Sequence, residues 1–401
     1  MVKKHYLFTP GPTPVPPEIS LAEAAPLIHH RTPEFSKLLA EVSEDLKYLF
    51  QTREGKVYTF TSSGTGAMEA CVVNLLSRGD TVLVARGGKF GERWAELCEA
   101  YGVKTVCVDV EYGSAAEPEA VETALKKNKS IKAVFITQCE TSTGVQNDIE
   151  TIAGIVKGYP VLLIVDAITA VGVSPFFMDK WRVDVAVTSS QKGLMMPPGL
   201  AFAAVRPTAQ DAIKKAGLPR YYWDLRVMDK ALKKDTTPFT PAVSLIVALK
   251  KALEMMKEEG LENVWARHAR LARATRGAVK ALGLELFARQ PCDILTAVKV
   301  PDGVDGMAFI RDLRDKYGVS IAGGQAELKG RIFRMAHVGY MDDFDVITAI
   351  AAVEKGLHDS GYPVEPGRGV ATAQRLLMDD KKASPYAEKR PRAGVTSNPK
   401  A

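Results

Sequence analysis

Between residues 57 and 205 short apolar runs alternate with amphipathic stretches. Residues 57–60, 81–85, 105–110, 133–137, 161–165 and 183–188 read as strands, and 200–205 reads as one more. Several are nearly free of charge and rich in Val, Ile and Ala, as strands buried on both faces must be. Helical patterns fall between most of them, at 67–76, 92–101 and 118–127. This regular alternation predicts an α/β fold with a mostly parallel, seven-stranded sheet covered on both sides. Upstream, residues 34–50 place Phe35, Leu38, Leu39, Val42, Leu46 and Leu49 on one helical face. Downstream, long helices at 242–259 and 261–282 are separated by Gly260. Strand-like runs at 295–300 and 331–336, with helices at 305–317 and 343–358, predict a smaller α+β unit.

The ends of the chain read differently. Residues 5–17 carry so many prolines that helix and central strand are both disfavoured, and an extended arm is expected. Residues 362–401 are rich in Pro, Gly, Lys and Arg and predict a disordered tail. The expected division is an arm at 1–20, a large domain at 21–257, a small domain at 258–360 and a basic tail at 361–401.

Composition narrows the function classes. The chain has 401 residues, too many for one ordinary core, with 46% hydrophobic and 25% charged residues. The net charge of +6 owes much to Lys381, Lys382, Lys389, Arg390 and Arg392 near the end. No basic stripe with interleaved aromatics runs through the body, so no nucleic-acid partner is expected. The five cysteines are odd in number and widely spaced, without a C-x-x-C pair. That pattern points away from a disulfide framework, zinc or iron–sulfur sites and towards a cytoplasmic location. Tyr6-Leu7-Phe8 is too short an apolar core for a signal peptide, and the apolar run at 161–165 stops at Asp166, so no membrane span is expected.

The candidate chemistry sits where strands end. Val183 to Thr188 leads into Ser189-Ser190-Gln191-Lys192-Gly193, and a lysine half-buried at such a place loses part of its preference for the ammonium form. Its free amine can then attack an aldehyde. Ser63-Gly64-Thr65 lies between a strand and a helix N-terminus, where backbone N–H groups, hydroxyls and the helix dipole suit a phosphate, or simply make a turn. Asp166 closes an apolar strand, either as a local cap or as partner to a buried cation. Glu140-Thr141-Ser142-Thr143-Gly144 follows another strand. Together these parts suit one cofactor, pyridoxal 5′-phosphate: a cradle for its phosphate, a lysine for its aldehyde and an aspartate for its ring nitrogen.

In order along the chain, Thr9-Pro10-Gly11-Pro12, Ser63-Gly64-Thr65, Glu140-Thr141-Ser142-Thr143-Gly144, Asp166-Ala167, Ser189-Ser190-Gln191-Lys192, Thr240-Pro241-Ala242, and Arg334 before Gly339 resemble the class V, fold type I aminotransferases of the alanine–glyoxylate and serine–pyruvate group. The resemblance covers residues 5 to 358. It implies that Lys192 forms the Schiff base and shuttles protons and that Asp166 pairs with the pyridine nitrogen. Ile168 and Phe90 would pack on the two ring faces, Phe90 at a position where several relatives have Trp. Ser63, Gly64, Thr65 and Gln191 would hold the phosphate, and Thr141 the ring hydroxyl. Thr240 would reach the phosphate in a neighbouring subunit, which implies a homodimer with shared sites. The tyrosine that some relatives place three residues earlier is Thr237 here. Arg334 and Gly11 would meet the substrate, and His30 and Arg31 are candidates for the entrance.

The implied activity is transfer of an amino group from alanine or serine to a small 2-oxo acid such as glyoxylate or pyruvate. Alternatives are another fold-type-I reaction, such as cysteine desulfuration, or a non-catalytic binding or regulatory protein with the same fold. Desulfuration needs a cysteine ahead of the carboxylate-binding arginine, and residues 321–334 contain none. On an alternating strand Arg334 shares a face with Ile332, while Arg331, Phe333 and Met335 share the other. An arginine so placed needs an anion, either a substrate carboxylate or a structural partner such as Glu327.

Overall fold

The computed structural model describes residues 4–379. The chain opens on a short strand, β1 (Tyr6–Phe8). Strands β2 (Lys56–Thr61), β3 (Thr81–Arg86), β4 (Lys104–Asp109) and β5 (Ile131–Thr137) follow, alternating with helices. A two-strand hairpin, β6 (Cys139–Glu140) and β7 (Val145–Gln146), precedes β8 (Leu162–Asp166), β9 (Val185–Ser189) and β10 (Leu200–Val205). The large sheet has seven strands in the order β2-β10-β9-β8-β5-β3-β4. All are parallel except β10, which runs antiparallel to both neighbours.

Strand alternation divides the apolar side chains between two cores. Leu83, Val134, Ile136, Leu163 and Val165 enter one core with the helices Pro33–Phe50 and Val243–Glu259. Val82, Val84, Phe135 and Ile164 enter the other with the helices Gly64–Leu75 and Lys89–Ala100. Each fully buried Val, Ile or Phe side chain contributes roughly 1.5–3 kcal/mol. The helix Pro33–Phe50 starts where it does because Thr32 accepts from the Phe35 N–H at 3.3 Å and proline occupies its first position.

The small domain carries β11 (Leu295–Lys299), β12 (Val319–Gly323) and β13 (Ile332–Ala336). Its four-stranded sheet runs β1-β12-β13-β11. The expected arm is therefore only partly an arm. Tyr6 pairs with Val319, and Phe8 with Ile321, in a parallel edge strand. Edge position tolerates the prolines that follow. Pro17–Glu23 is a helix, with proline at its first position, where the missing N–H costs nothing.

The expected disordered tail needs a second correction. Arg368–Met378 is a helix that buries Ala373 and Leu377 in the small-domain core. Its start is fixed by Glu354, whose carboxylate accepts from the N–H groups of Gly367, Gly369 and Val370 at 2.8, 2.6 and 3.0 Å. The basic cluster from Lys381 onwards lies outside the described residues.

Candidate active site

The carboxyl ends of β8 and β9 set the site. β9 ends at Ser189, and the loop after it is tied down by Ser190. The Ser190 hydroxyl donates to the Pro197 carbonyl at 2.7 Å and accepts from the Leu200 N–H at 3.2 Å. Lys192 is thereby aimed back across the sheet edge, where its Nζ donates to the Pro10 carbonyl at 3.0 Å. Thr13 anchors the same segment by donating to the Lys192 carbonyl at 3.2 Å. Gly11 sits directly over the amine at φ +143°, and a Cβ there would lie 2.2 Å from Nζ. Only glycine fits that position.

Burial pushes the Lys192 amine down from 10.5 to about 8. Asp166 opposes the shift, and the Arg334 and Arg93 charges add to it. Asp166, 3% exposed at the end of β8, is pushed up to about 7, chiefly by burial. Its Oδ1 accepts from the Ile168 N–H at 2.9 Å. That bond makes it a local cap as well as a charged neighbour of Lys192, so both sequence readings have a geometric basis. Two groups at the carboxyl ends of adjacent parallel strands are poised near neutrality, the pattern expected of acid–base chemistry.

Lys192 and Asp166 line a cavity of about 110 Å³ together with Ser63, Gly64, Thr65 and Phe90. Thr141, Ile168 and Gln191 line it too. Arg334 stands just behind. Its Nε and Nη2 donate to the Gly323 carbonyl at 3.0 and 2.6 Å, and its Nη1 to the Thr141 carbonyl at 2.6 Å. Glu327 does not pair with it; Arg334 is held by carbonyls, 5% exposed. Burial lowers its guanidinium to about 10, and the charge of Glu140 works in the opposite direction. With three N–H groups engaged, two of its five remain for another acceptor.

Thr240 is not brought to this cavity. It lies in a separate surface concavity with Thr61, Tyr222 and Phe239. Arg31 is not at the cavity either. It donates to the Thr236 hydroxyl at 2.7 Å and to the Thr237 carbonyl at 2.6 Å, and so fixes the segment leading to Thr240. His30, its neighbour, does not line the cavity.

Five side chains at the site had no role from the sequence. Arg93, Cys139, Thr169 and Ser189 line the cavity. Glu140, 2% exposed, accepts from the N–H groups of Phe90 and Gly91 at 3.0 Å each. It also accepts from the N–H and hydroxyl of Ser142, at 3.1 and 2.6 Å. It thereby fixes both the helix turn carrying Phe90 and the turn carrying Thr141, and burial raises its own carboxyl. The available signal for Arg93 was its spacing of three from Phe90, which puts both on one helix face.

The residues fit a phosphorylated pyridine aldehyde. The helix Gly64–Leu75 has Ser63 at its N-cap without a side-chain cap bond; the Gly66 N–H is engaged by the Ser63 carbonyl at 2.9 Å, and the N–H groups of Gly64 and Thr65 before it suit an anion. Ser189 Oγ, which can donate, and Gln191 Oε1 are buried without hydrogen-bond partners among the described residues, at a cost unless a ligand or water satisfies them; Gln191 would meet an anion with its amide turned, Nε2 donating. A Cβ on Gly64 would lie 2.7 Å from Ile168 Cδ1 and 3.3 Å from Ser189 Oγ, inside the cradle. Among the described residues no group of three or more His, Cys, Asp and Glu is arranged to hold a metal ion.

Residues 5–336 match the family described as aminotransferase class-V. The chain is 45% identical to the soluble hydrogenase, small subunit, of Synechococcus sp., over 94% of this chain and 99% of that one. It is 38% identical to the serine–glyoxylate aminotransferase of Methylorubrum extorquens, over 94% and 97% of the two chains. The alanine–glyoxylate aminotransferase structure from Nostoc sp. matches with a TM-score of 0.86 at 30% identity, covering 89% of this chain and 96% of that one.

Proposed function

This chain belongs to the class-V aminotransferases, and from that premise we propose that it moves an amino group from alanine or serine to glyoxylate or pyruvate. It is a pyridoxal-phosphate enzyme of transamination between small amino acids and 2-oxo acids. The observation that carries the finer reading is the convergence of Lys192, Asp166 and the Ser63-Gly64-Thr65 turn on one cavity, with Arg334 behind Thr141. When bound, the cofactor supplies an electron sink for the amino acid's Cα.

The chain's own residues do the rest in this reading. Ser63, Gly64, Thr65 and Gln191 would hold the phosphate at the helix N-terminus. Phe90 and Ile168 would fix the plane of the ring, Thr141 would bond its hydroxyl, and Asp166 would keep a proton on its nitrogen. Lys192 Nζ would hold the aldehyde and, once displaced by the substrate amine, would carry the proton on and off the substrate's Cα. An amine near pKa 8 suits that task, being neither locked as ammonium nor a poor proton acceptor at neutral pH. Arg334 offers its two remaining N–H groups to the α-carboxylate, and Gly11 keeps the ceiling low enough to hold Nζ in place.

We place the protein in the cytoplasm as a homodimer, with the cofactor domain at 21–257 and the small domain at 258–360. No helix among the described residues is long and apolar enough to cross a membrane. Thr240 faces outward beside exposed Tyr221 and Tyr222, which supports its reaching a neighbouring subunit's phosphate. Cysteine desulfuration is disfavoured: Cys139 lines the cavity, but burial pushes its thiol well above the usual range, so it is a poor nucleophile.

The test is a panel of L-alanine, L-serine and L-aspartate against glyoxylate, pyruvate and 2-oxoglutarate. Alanine or serine with glyoxylate or pyruvate should give the highest kcat/KM. A preference for aspartate or for 2-oxoglutarate would overturn the substrate assignment and leave the family membership intact.

A further inference from the structure

Arg93 forms no ion pair among the described residues, although its charge acts on Asp166 across the cavity. It lies on the helix Lys89–Ala100, one turn beyond Phe90, and lines the cavity with Ser63, Gly64 and Lys192. Its Nη1 donates to the Thr65 hydroxyl at 3.3 Å. Its guanidinium carbon sits 4.9 Å from the centre of the Phe90 ring. Among the described residues no carboxylate stands within ion-pair distance of it.

A phosphate monoester brings about −1.5 to −2 charges to this turn. The N-terminus of the helix Gly64–Leu75 offers roughly half a positive charge, and Ser63 and Thr65 offer neutral donors. Arg334 has three of its N–H groups on the carbonyls of Gly323 and Thr141 and its other two assigned to the substrate, and Lys192 faces Pro10 and Gly11. The fixed positive charge beside Thr65 is therefore Arg93. A guanidinium already docked on a ring and a hydroxyl is preorganised, and its planar fork matches two phosphate oxygens.

We propose that Arg93 is the charged clamp of the cofactor's phosphate and, through its contact with Phe90, ties phosphate binding to the placement of the ring that covers the pyridine. This rests on the pyridoxal-phosphate reading of the cavity. It assigns the negative end of the cofactor to a residue of the same subunit, independently of Thr240.

The experiment titrates apo-protein with pyridoxal 5′-phosphate and, separately, with pyridoxal, which lacks the phosphate. Intrinsic fluorescence reports binding, and inorganic phosphate is added as a competitor. Arg93→Gln should weaken binding of the phosphorylated compound about 10- to 150-fold, the range for a hydrogen bond to a charged group. It should leave pyridoxal within about fivefold, the scale of the lost contact with Phe90. Competition by phosphate should weaken in parallel. Arg93→Lys should fall between, since an ammonium keeps the charge and loses the fork, and it carries the test if the glutamine variant melts early. Equal losses for both compounds would overturn the clamp and leave Arg93 as a support for Phe90. No loss for either would exclude it from the site. If the unmodified protein binds neither compound, the cofactor reading itself fails, a result distinct from both.

Discussion

Replacing Gly11 with alanine should disable Lys192 without touching it. The new Cβ would stand 2.2 Å from Nζ, 2.6 Å from Cδ and 2.7 Å from Cε, where unbonded atoms need about 3.5 Å. The lysine must retreat by about 1 Å, and it loses its bond to the Pro10 carbonyl. A displacement of about 1 Å in a reacting group costs on the order of 100-fold in rate. The backbone adds its own cost, because alanine at φ +143° is strained by about 1–3 kcal/mol. The Gly11→Ala enzyme should therefore show kcat/KM for its best amino donor reduced on the order of 100-fold and a Tm lower by several degrees. Non-covalent binding of cofactor should persist, because the phosphate cradle lies elsewhere. The assay pairs steady-state kinetics with the rate at which cofactor becomes reducible onto the protein by borohydride. Wild-type attachment rate together with kcat/KM within about twofold would refute the reasoning, since the arm would then exert no control over the amine.

Three further outcomes follow from the same geometry. Asp166→Asn retains an oxygen for the Ile168 N–H and removes the charge; cofactor affinity should fall and single-turnover deprotonation at Cα should slow on the order of 100-fold or more, whereas an unchanged single-turnover rate would reduce Asp166 to a cap. Arg334→Ala should lower kcat/KM for alanine by roughly 30- to several-thousand-fold and Arg334→Lys should recover part of it; an equal loss with a decarboxylated amine would make the arginine structural, a support for the Gly323 and Thr141 carbonyls. Because burial lowers Lys192 to about 8, its amine is protonated and unreactive below that pH and free above it, so aldehyde attachment to the apo-protein should rise through pH 8 and level off; a rise that continues to pH 10.5, the ordinary lysine value, would show that the amine is not desolvated.

The strand ends were legible because their chemistry is local. A lysine after Val185–Ser189, an aspartate after an apolar run and a Ser-Gly-Thr turn before a helix each announce themselves in a few consecutive residues. Phe90 and Arg334 drew their roles from resemblance, and the structure shows what holds them: Glu140 under the Phe90 turn, and two carbonyls around the guanidinium. Two of those supports, Glu140 under Phe90 and the Thr141 carbonyl on Arg334, join segments 50 and 193 residues apart, and no local pattern records such a meeting. Arg93 escaped because an arginine among Glu92, Glu96 and Glu99 reads as part of a solvated face, although neither Glu92 nor Glu96 pairs with it; both lie near Lys89 instead. At the chain ends composition misled. Pro17 begins a helix instead of preventing one, and the Pro-Gly segment before Arg368 hides a helix start that Glu354 satisfies from elsewhere. The first helix follows from a local rule, proline at the opening position; the second depends on Glu354, which lies outside the segment whose composition misleads.

The central claim is that Lys192 carries the cofactor's aldehyde. Its most direct test is reduction of the cofactor-loaded protein with borohydride, followed by peptide mapping by mass spectrometry. The cofactor mass should appear on the peptide containing Lys192 and should be lost when L-alanine is added before reduction. Modification confined to another lysine, or label on Lys192 that alanine does not release, would contradict the account.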